Sequence, residues 1–261
     1  MLKKLAIVLT ISVIILTFNF LGIAEEIQAH EIILDFPQQI EVEEEVDIEI
    51  SFGHFPEMYD YEHSFFAELE NGELKVIKPD GSEKELGFTR EMEEAYSAAF
   101  TPSEAGIYWL TFTSKRPVVD RTDDGDGKQL RYYDAKAPLK VSADEEDLAV
   151  PETDLAVEVV SAGNIQNNAG EEITLQVLYE GEPAADQSLS VVSPLEEVQT
   201  YTTDEKGEFV FTPEEEGVWF IHVSNLTDTE KEGEFGGEDY DRIRYNSAFY
   251  MEIEEEEGWL F

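Results

Sequence analysis

A ten-residue segment occurs twice in this chain. Phe100-Thr101-Pro102-Ser103-Glu104-Ala105-Gly106-Ile107-Tyr108-Trp109 returns as Phe211-Thr212-Pro213-Glu214-Glu215-Glu216-Gly217-Val218-Trp219-Phe220, an offset of 111 residues from position 100 to position 211. That interval is about the length of one immunoglobulin-like sandwich. The chemistry explains why such a segment would occur once per sandwich. A strand closes in Phe-Thr, and proline withholds the N–H that would continue the ladder. Glycine then lets the backbone reverse, and an aromatic-rich strand returns through the core. The tails correspond too: Arg131-Tyr132-Tyr133 through Val141 resembles Arg242-Ile243-Arg244-Tyr245 through Ile253. The chain is therefore predicted to be all-β, with two tandem immunoglobulin-like β-sandwich domains.

Other strands read from alternation. Val46-Asp47-Ile48-Glu49-Ile50-Ser51-Phe52 and Ile173-Thr174-Leu175-Gln176-Val177-Leu178-Tyr179 switch between polar and apolar at period 2, the sign of a half-buried strand. Leu74 to Lys78 runs into Pro79-Asp80-Gly81-Ser82, a hairpin turn, and Asp204-Glu205-Lys206-Gly207 is a second. Ser188 to Val192 and Gln199 to Thr203 are further strands. Glu91 to Ala99 is the best candidate for a helical turn. The resulting division is a signal or uncleaved anchor over 1–29, a first sandwich over 30–143, an acidic linker over 144–153, a second sandwich over 154–255, and an acidic tail over 256–261.

Charge narrows the partners. Lys and Arg number 17 against 60 Asp and Glu, for a net charge of −43. A phosphate backbone needs a basic face, so nucleic acid is excluded, and an anionic membrane surface is disfavoured. A negative field of this size collects cations. It equally keeps a protein soluble in salt, which screens the self-repulsion. The acids run along the whole chain, as in Glu43-Glu44-Glu45, Glu214-Glu215-Glu216 and Glu254-Glu255-Glu256-Glu257, and that spread suits a saline habitat better than a single site. There is no cysteine, so disulfides and thiolate ligands are absent. Any metal must be held by imidazole, oxygen or backbone nitrogen.

The N-terminal stretch reads as a secretory signal. Met1-Leu2-Lys3-Lys4 is positive, Leu5 to Ala24 is apolar, and Ile27-Gln28-Ala29 ends on a small residue. A cut after Ala29 makes His30 residue one of the mature protein. A competing cut lies after Ala24, and an uncleaved h-region is long enough to act as a membrane anchor. With the Ala29 cut, the α-amine (pKa about 7.7–8.0) and the imidazole (pKa about 6.5) of His30 can chelate one divalent ion together.

Three of the four histidines fall in the first half. His54 lies in Phe52-Gly53-His54-Phe55-Pro56, past a strand and at a sheet's end, and His63 follows in Tyr59-Asp60-Tyr61-Glu62-His63. If His30 shares that edge, three imidazoles and an amine converge. Such nitrogen donors suit Ni²⁺, Co²⁺ or Cu²⁺. Glu57, Asp60 and Glu62 are placed to add oxygen ligands or to orient the rings. His222 alternates with apolar neighbours in Phe220-Ile221-His222-Val223 and reads as a structural strand residue. Asp120 to Gly127 starts like a calcium loop, but Arg131 stands where the closing carboxylate is needed, so it reads as an acidic hairpin loop. No nucleophile elbow, P-loop or dinucleotide fingerprint appears.

The chain resembles the extracytoplasmic nickel/cobalt-uptake-associated two-sandwich proteins. Ala29-His30-Glu31, Gly53-His54, and Thr202-Thr203-Asp204 through Gly207, Phe209, Phe211-Thr212-Pro213, Gly217 and Trp219 carry the likeness. It implies a non-enzymatic protein, secreted, periplasmic or tethered to the cytoplasmic membrane. Such a protein binds nickel or cobalt as cargo through His30 and His54, with His63 as a third ligand, and serves a membrane metal-transporter complex. Copper suits the same donors. Two rival readings are a copper monooxygenase built on the N-terminal histidine, with Tyr59 or Tyr61 beside it, and a metal-free surface or adhesion module.

Overall fold

The computed structural model describes residues 30–55, 58–143 and 148–254, with only the backbone described at Met58 and Tyr59. The signal or anchor segment, Glu57 and the acidic tail lie outside the described residues. Among the described residues no helix is long and apolar enough to cross a membrane.

The first half contains β1 (Glu31–Asp35), β2 (Gln39–Ile40), β3 (Val46–His54), β4 (Met58–Tyr59), β5 (Glu73–Ile77), β6 (Glu83–Leu86), β7 (Tyr96–Phe100), β8 (Gly106–Arg121) and β9 (Gly127–Val141). The second contains β10 (Leu148–Ala149), β11 (Val157–Val160), β12 (Asn164–Ile165), β13 (Ile173–Tyr179), β14 (Glu182–Pro183), β15 (Ser188–Val192), β16 (Val198–Thr202), β17 (Glu208–Phe211), β18 (Gly217–Asp228), β19 (Gly233–Phe235), β20 (Glu238–Tyr240) and β21 (Arg242–Ile253). The protein is all-β and built as sandwiches.

Three sheets make the layers. In the first half, β3 pairs with β1 along one edge and with β7 and β4 along the other. In the second half, β13 pairs likewise with β11, β14 and β17. Between them runs one nine-stranded sheet, ordered β16-β15-β18-β21-β9-β8-β5-β6, with β2 added to β9. Its pairs are antiparallel except β2–β9 and the central β21–β9, which are parallel. The order is mirrored about that central pair, with a hairpin, a long strand and a last strand on each side.

The two small sheets cover opposite faces of the shared one, because side chains alternate along a strand. On β9, Tyr133, Ala135, Ala137, Leu139 and Val141 enter the first core, while Leu130 enters the second. The first core also takes Phe220, Ala248 and Tyr250 from the second half, and the second takes Trp109 from the first. With both faces covered, β9 is buried nearly throughout its length. The repeated motif contributes at its glycines. Gly106 (φ 140°) and Gly217 (φ 119°) both sit in the left-handed region, and a Cβ on Gly106 would come within 2.6 Å of Pro79.

Two expectations change. Glu91 to Ala99 contains no helical turn. Tyr96, Ala98 and Phe100 alternate inward, and β7 pairs with Val46–Ile50; period-2 burial overrides the helix propensity of the glutamates. The stretch read as a linker is partly structural. Leu148 and Val150 are buried in the second core, and Leu148–Ala149 pairs with Asn164–Ile165. Beside it, Lys136 is fully buried. Its Nζ donates to Glu158 Oε2 at 2.7 Å, to the Val159 carbonyl at 3.1 Å and to the Pro151 carbonyl.

Candidate metal centre

Antiparallel pairing at the end of the first small sheet sets the site. Glu31 stands opposite Gly53, so the next step outward puts His30 beside His54. Their ring centroids are 4.2 Å apart. The chain then turns back. The Asp60 N–H donates to the Phe52 carbonyl at 2.7 Å, and His63 N–H to the Asp60 carbonyl at 3.2 Å. This returns His63 to 4.9 Å from the His30 ring. Phe52 is the floor: its buried ring stacks on His30 at 5.1 Å and meets His63 at 5.2 Å, Phe65 at 4.9 Å and Tyr133 at 5.4 Å.

The rings of His54 and His63 therefore both flank His30, while the compact donor set among the described residues is His30, Asp60 and His63, without His54. His30 Nε2 donates to Asp60 Oδ2 at 2.8 Å. That bond places the lone pair of the neutral ring on Nδ1, the nitrogen that shares a six-membered chelate ring with the α-amine of a first residue. One donor atom from each of His30, Asp60 and His63 lies within 4.8 Å of the other two. Two nitrogens on one ion at about 2.1 Å each are at most about 4.2 Å apart, so the three groups must draw closer to share one ion.

His63 needs a larger change. The Phe65 N–H donates to its Nδ1 at 3.1 Å, which leaves the proton of the neutral ring on Nε2. Binding a metal through Nε2 therefore means giving up that hydrogen bond. Burial, with help from Arg116 and His30, pushes the His63 pKa down, so the ring stays neutral to lower pH than usual. Glu62 is exposed. Glu31 is buried and points the other way. Its Oε1 accepts the Phe55 N–H at 2.6 Å, and burial pushes its carboxyl up to about 8, so it clips the His54 loop as a neutral acid.

Sequence reasoning assigned His222 a structural place, and it is a buried strand residue opposite Ala248 on β21. Less expected is the face it occupies. Burial first, and the neighbouring His54 second, push its pKa down to about 4. His222 thus lies near His54, on the side of that ring away from solvent. The signal for this lies in register, since Phe220 and His222 share a face and Phe220 packs on Phe55 at 5.0 Å, next to His54. The Asp120–Gly127 segment is the β8–β9 hairpin loop, as expected.

Fold and site define an all-β protein of two sandwiches on a shared sheet, with a histidine cluster at one sheet edge. The chain belongs to the family described as a domain of unknown function (DUF4198), whose model matches residues 27–227. No curated protein matches the sequence. Among solved structures, the chain is similar to a DUF4785 family protein from Legionella pneumophila, at 10% identity and a TM-score of 0.30, covering 73% of this chain and 51% of that one. It therefore spans about half the length of that protein. It is also similar to fibronectin(III)-like modules of Clostridium thermocellum CbhA, at 13% identity and TM-score 0.23, covering 86% and 94%. A third likeness is to Bacteroides ovatus SGBP-B in complex with a mixed-linkage heptasaccharide, at 11% and 0.21, covering 82% and 44%. Likeness at this level carries no functional argument.

Proposed function

We propose that this protein captures a divalent transition metal, nickel or cobalt, outside the cytoplasmic membrane and passes it to a membrane transporter. The observation that carries the reading is the gathering of the His54 and His63 rings about His30 at one sheet edge, with Asp60 bonded to His30. A chain with 60 acidic side chains and four histidines would gather carboxylates by default, not imidazoles. The likeness of Ala29-His30-Glu31 and Gly53-His54 to nickel/cobalt-uptake-associated proteins supports the same conclusion. After a cut at Ala29, His30 chelates through its amine and Nδ1 while Asp60 holds the Nε2 proton. His54 is the second ring, and His63 joins when its bond to Phe65 opens. The negative field of the molecule raises the local cation concentration. In this role the protein is a carrier, and copper fits the same donors.

Isothermal titration of the protein with Ni²⁺ tests the reading. One ion should bind per chain, and His30→Ala or His54→Ala should weaken binding at least about tenfold. Unchanged affinity in both variants would end it.

A further inference from the structure

The shared sheet carries a second feature next to the histidines. Arg116 on β8 stands directly opposite Arg131 on β9, and Arg131 stands directly opposite Arg244 on β21. Partners in register share a face, so three of the chain's six arginines form one row across three adjacent strands. The face is that of the first core: Tyr133 and Asn246, opposite each other in the next row but one along the strands, lead inward to Ala135 and Ala248. Tyr133 packs on Phe52 and Phe65, the floor of the histidine cluster, and Arg116 is close enough to His63 to help depress its pKa.

Like charges directly opposite on neighbouring strands destabilise a sheet, and this chain has 60 carboxylates with which to neutralise them. It forms no ion pair with them here, and Asp126 acts on Arg244 only from a distance. Among the described residues, the arginine ion pairs are Arg121–Asp124 and Arg242–Asp241; Arg116, Arg131 and Arg244 are in none. Arg131 donates from Nε and Nη2 to the neutral amide oxygen of Gln129. All three are partly buried. Burial first, and neighbouring arginines after it, hold the Arg131 and Arg244 guanidiniums below the usual arginine range. A row of forked cations, without ion pairs in an acidic protein and with Arg116 at its end near His63, fits an anion supplied from outside.

We propose that Arg116, Arg131 and Arg244 form an anion shelf that grips the carboxylates of a small polycarboxylate chelator, so that the metal arrives as a complex with that chelator rather than as the bare ion. The metal half of this proposal rests on the function given above; the shelf itself does not. The shelf also answers an electrostatic problem. A protein of net charge −43 repels an anionic metal complex, and a local cationic row gives the complex one place to land.

Native mass spectrometry and calorimetry with Ni²⁺ alone, citrate alone, and Ni²⁺ premixed with citrate test it. The expected result is a 1:1:1 complex of protein, nickel and citrate. An Arg131→Gln/Arg244→Gln variant should lose citrate from that complex, with at least a tenfold weaker hold on it, while keeping its Ni²⁺ affinity and its melting temperature. If Ni²⁺ fails to bind but citrate alone binds and is lost in the variant, the shelf stands and the metal reading falls. If citrate only strips nickel from the protein, or is held equally by the variant, the shelf is overturned.

Discussion

At the scale of single residues, the chemistry of His30 is set by one hydrogen bond. Asp60→Asn removes the carboxylate that orients the ring, so nickel affinity should fall about 10–100-fold. The partly exposed His30–Asp60 pair adds little stability, so the melting temperature should stay. Retaining Ala29 ahead of His30 converts the amine to an amide, and titration should then show a loss comparable to His30→Ala. His63→Ala should cost less than His54→Ala, because His63 must first release the Phe65 N–H. The buried Asp134 makes a separate prediction. Burial pushes its carboxyl up to about 7, above the value of the unfolded chain. The folded state therefore binds the extra proton, and stability falls as pH rises from about 4 to about 7. Asp134→Asn should flatten that fall and gain about 2 kcal/mol or more at pH 7.5 in chemical denaturation. The histidine cluster was legible in the sequence because imidazoles are scarce and oddly placed among acids and apolar residues. Phe52, the facing of His222 and the arginine row were not, since each depends on cross-strand register that no local pattern records.

At the scale of elements, β9 joins the two halves: one side of it feeds each core, and Lys136 on the second side is buried against Glu158. Removing one partner of a buried pair leaves an uncompensated charge, so Glu158→Ala should cost about 3–5 kcal/mol, whereas Lys136→Met with Glu158→Leu should restore most of it. Equilibrium unfolding of the two variants checks this. Hairpins were readable because glycine and proline mark them, as at Pro79-Asp80-Gly81 between β5 and β6. The strand at Tyr96–Phe100 was hidden under a run of glutamates. Leu148 and Val150 were hidden inside an acidic stretch, where two buried side chains outweigh the composition around them.

At the scale of the whole molecule, the repeat predicted two sandwiches but not that they would share a sheet. Parallel pairing of β9 with β21 joins equivalent strands of the two halves, a contact between segments far apart in sequence that periodicity cannot show. Because the halves also exchange core residues, thermal unfolding should follow one cooperative transition, with coincident near- and far-ultraviolet signals. The net charge of −43 should make the melting temperature climb between 0.05 and about 1 M NaCl as the screening length shrinks to about 3 Å. The most direct measurement is an anomalous difference map at the nickel edge from crystals grown with Ni²⁺. One strong peak within about 2.1 Å of nitrogens of both His30 and His54 is the predicted result. Peaks confined to surface carboxylates, with the histidine cluster empty, would contradict the account.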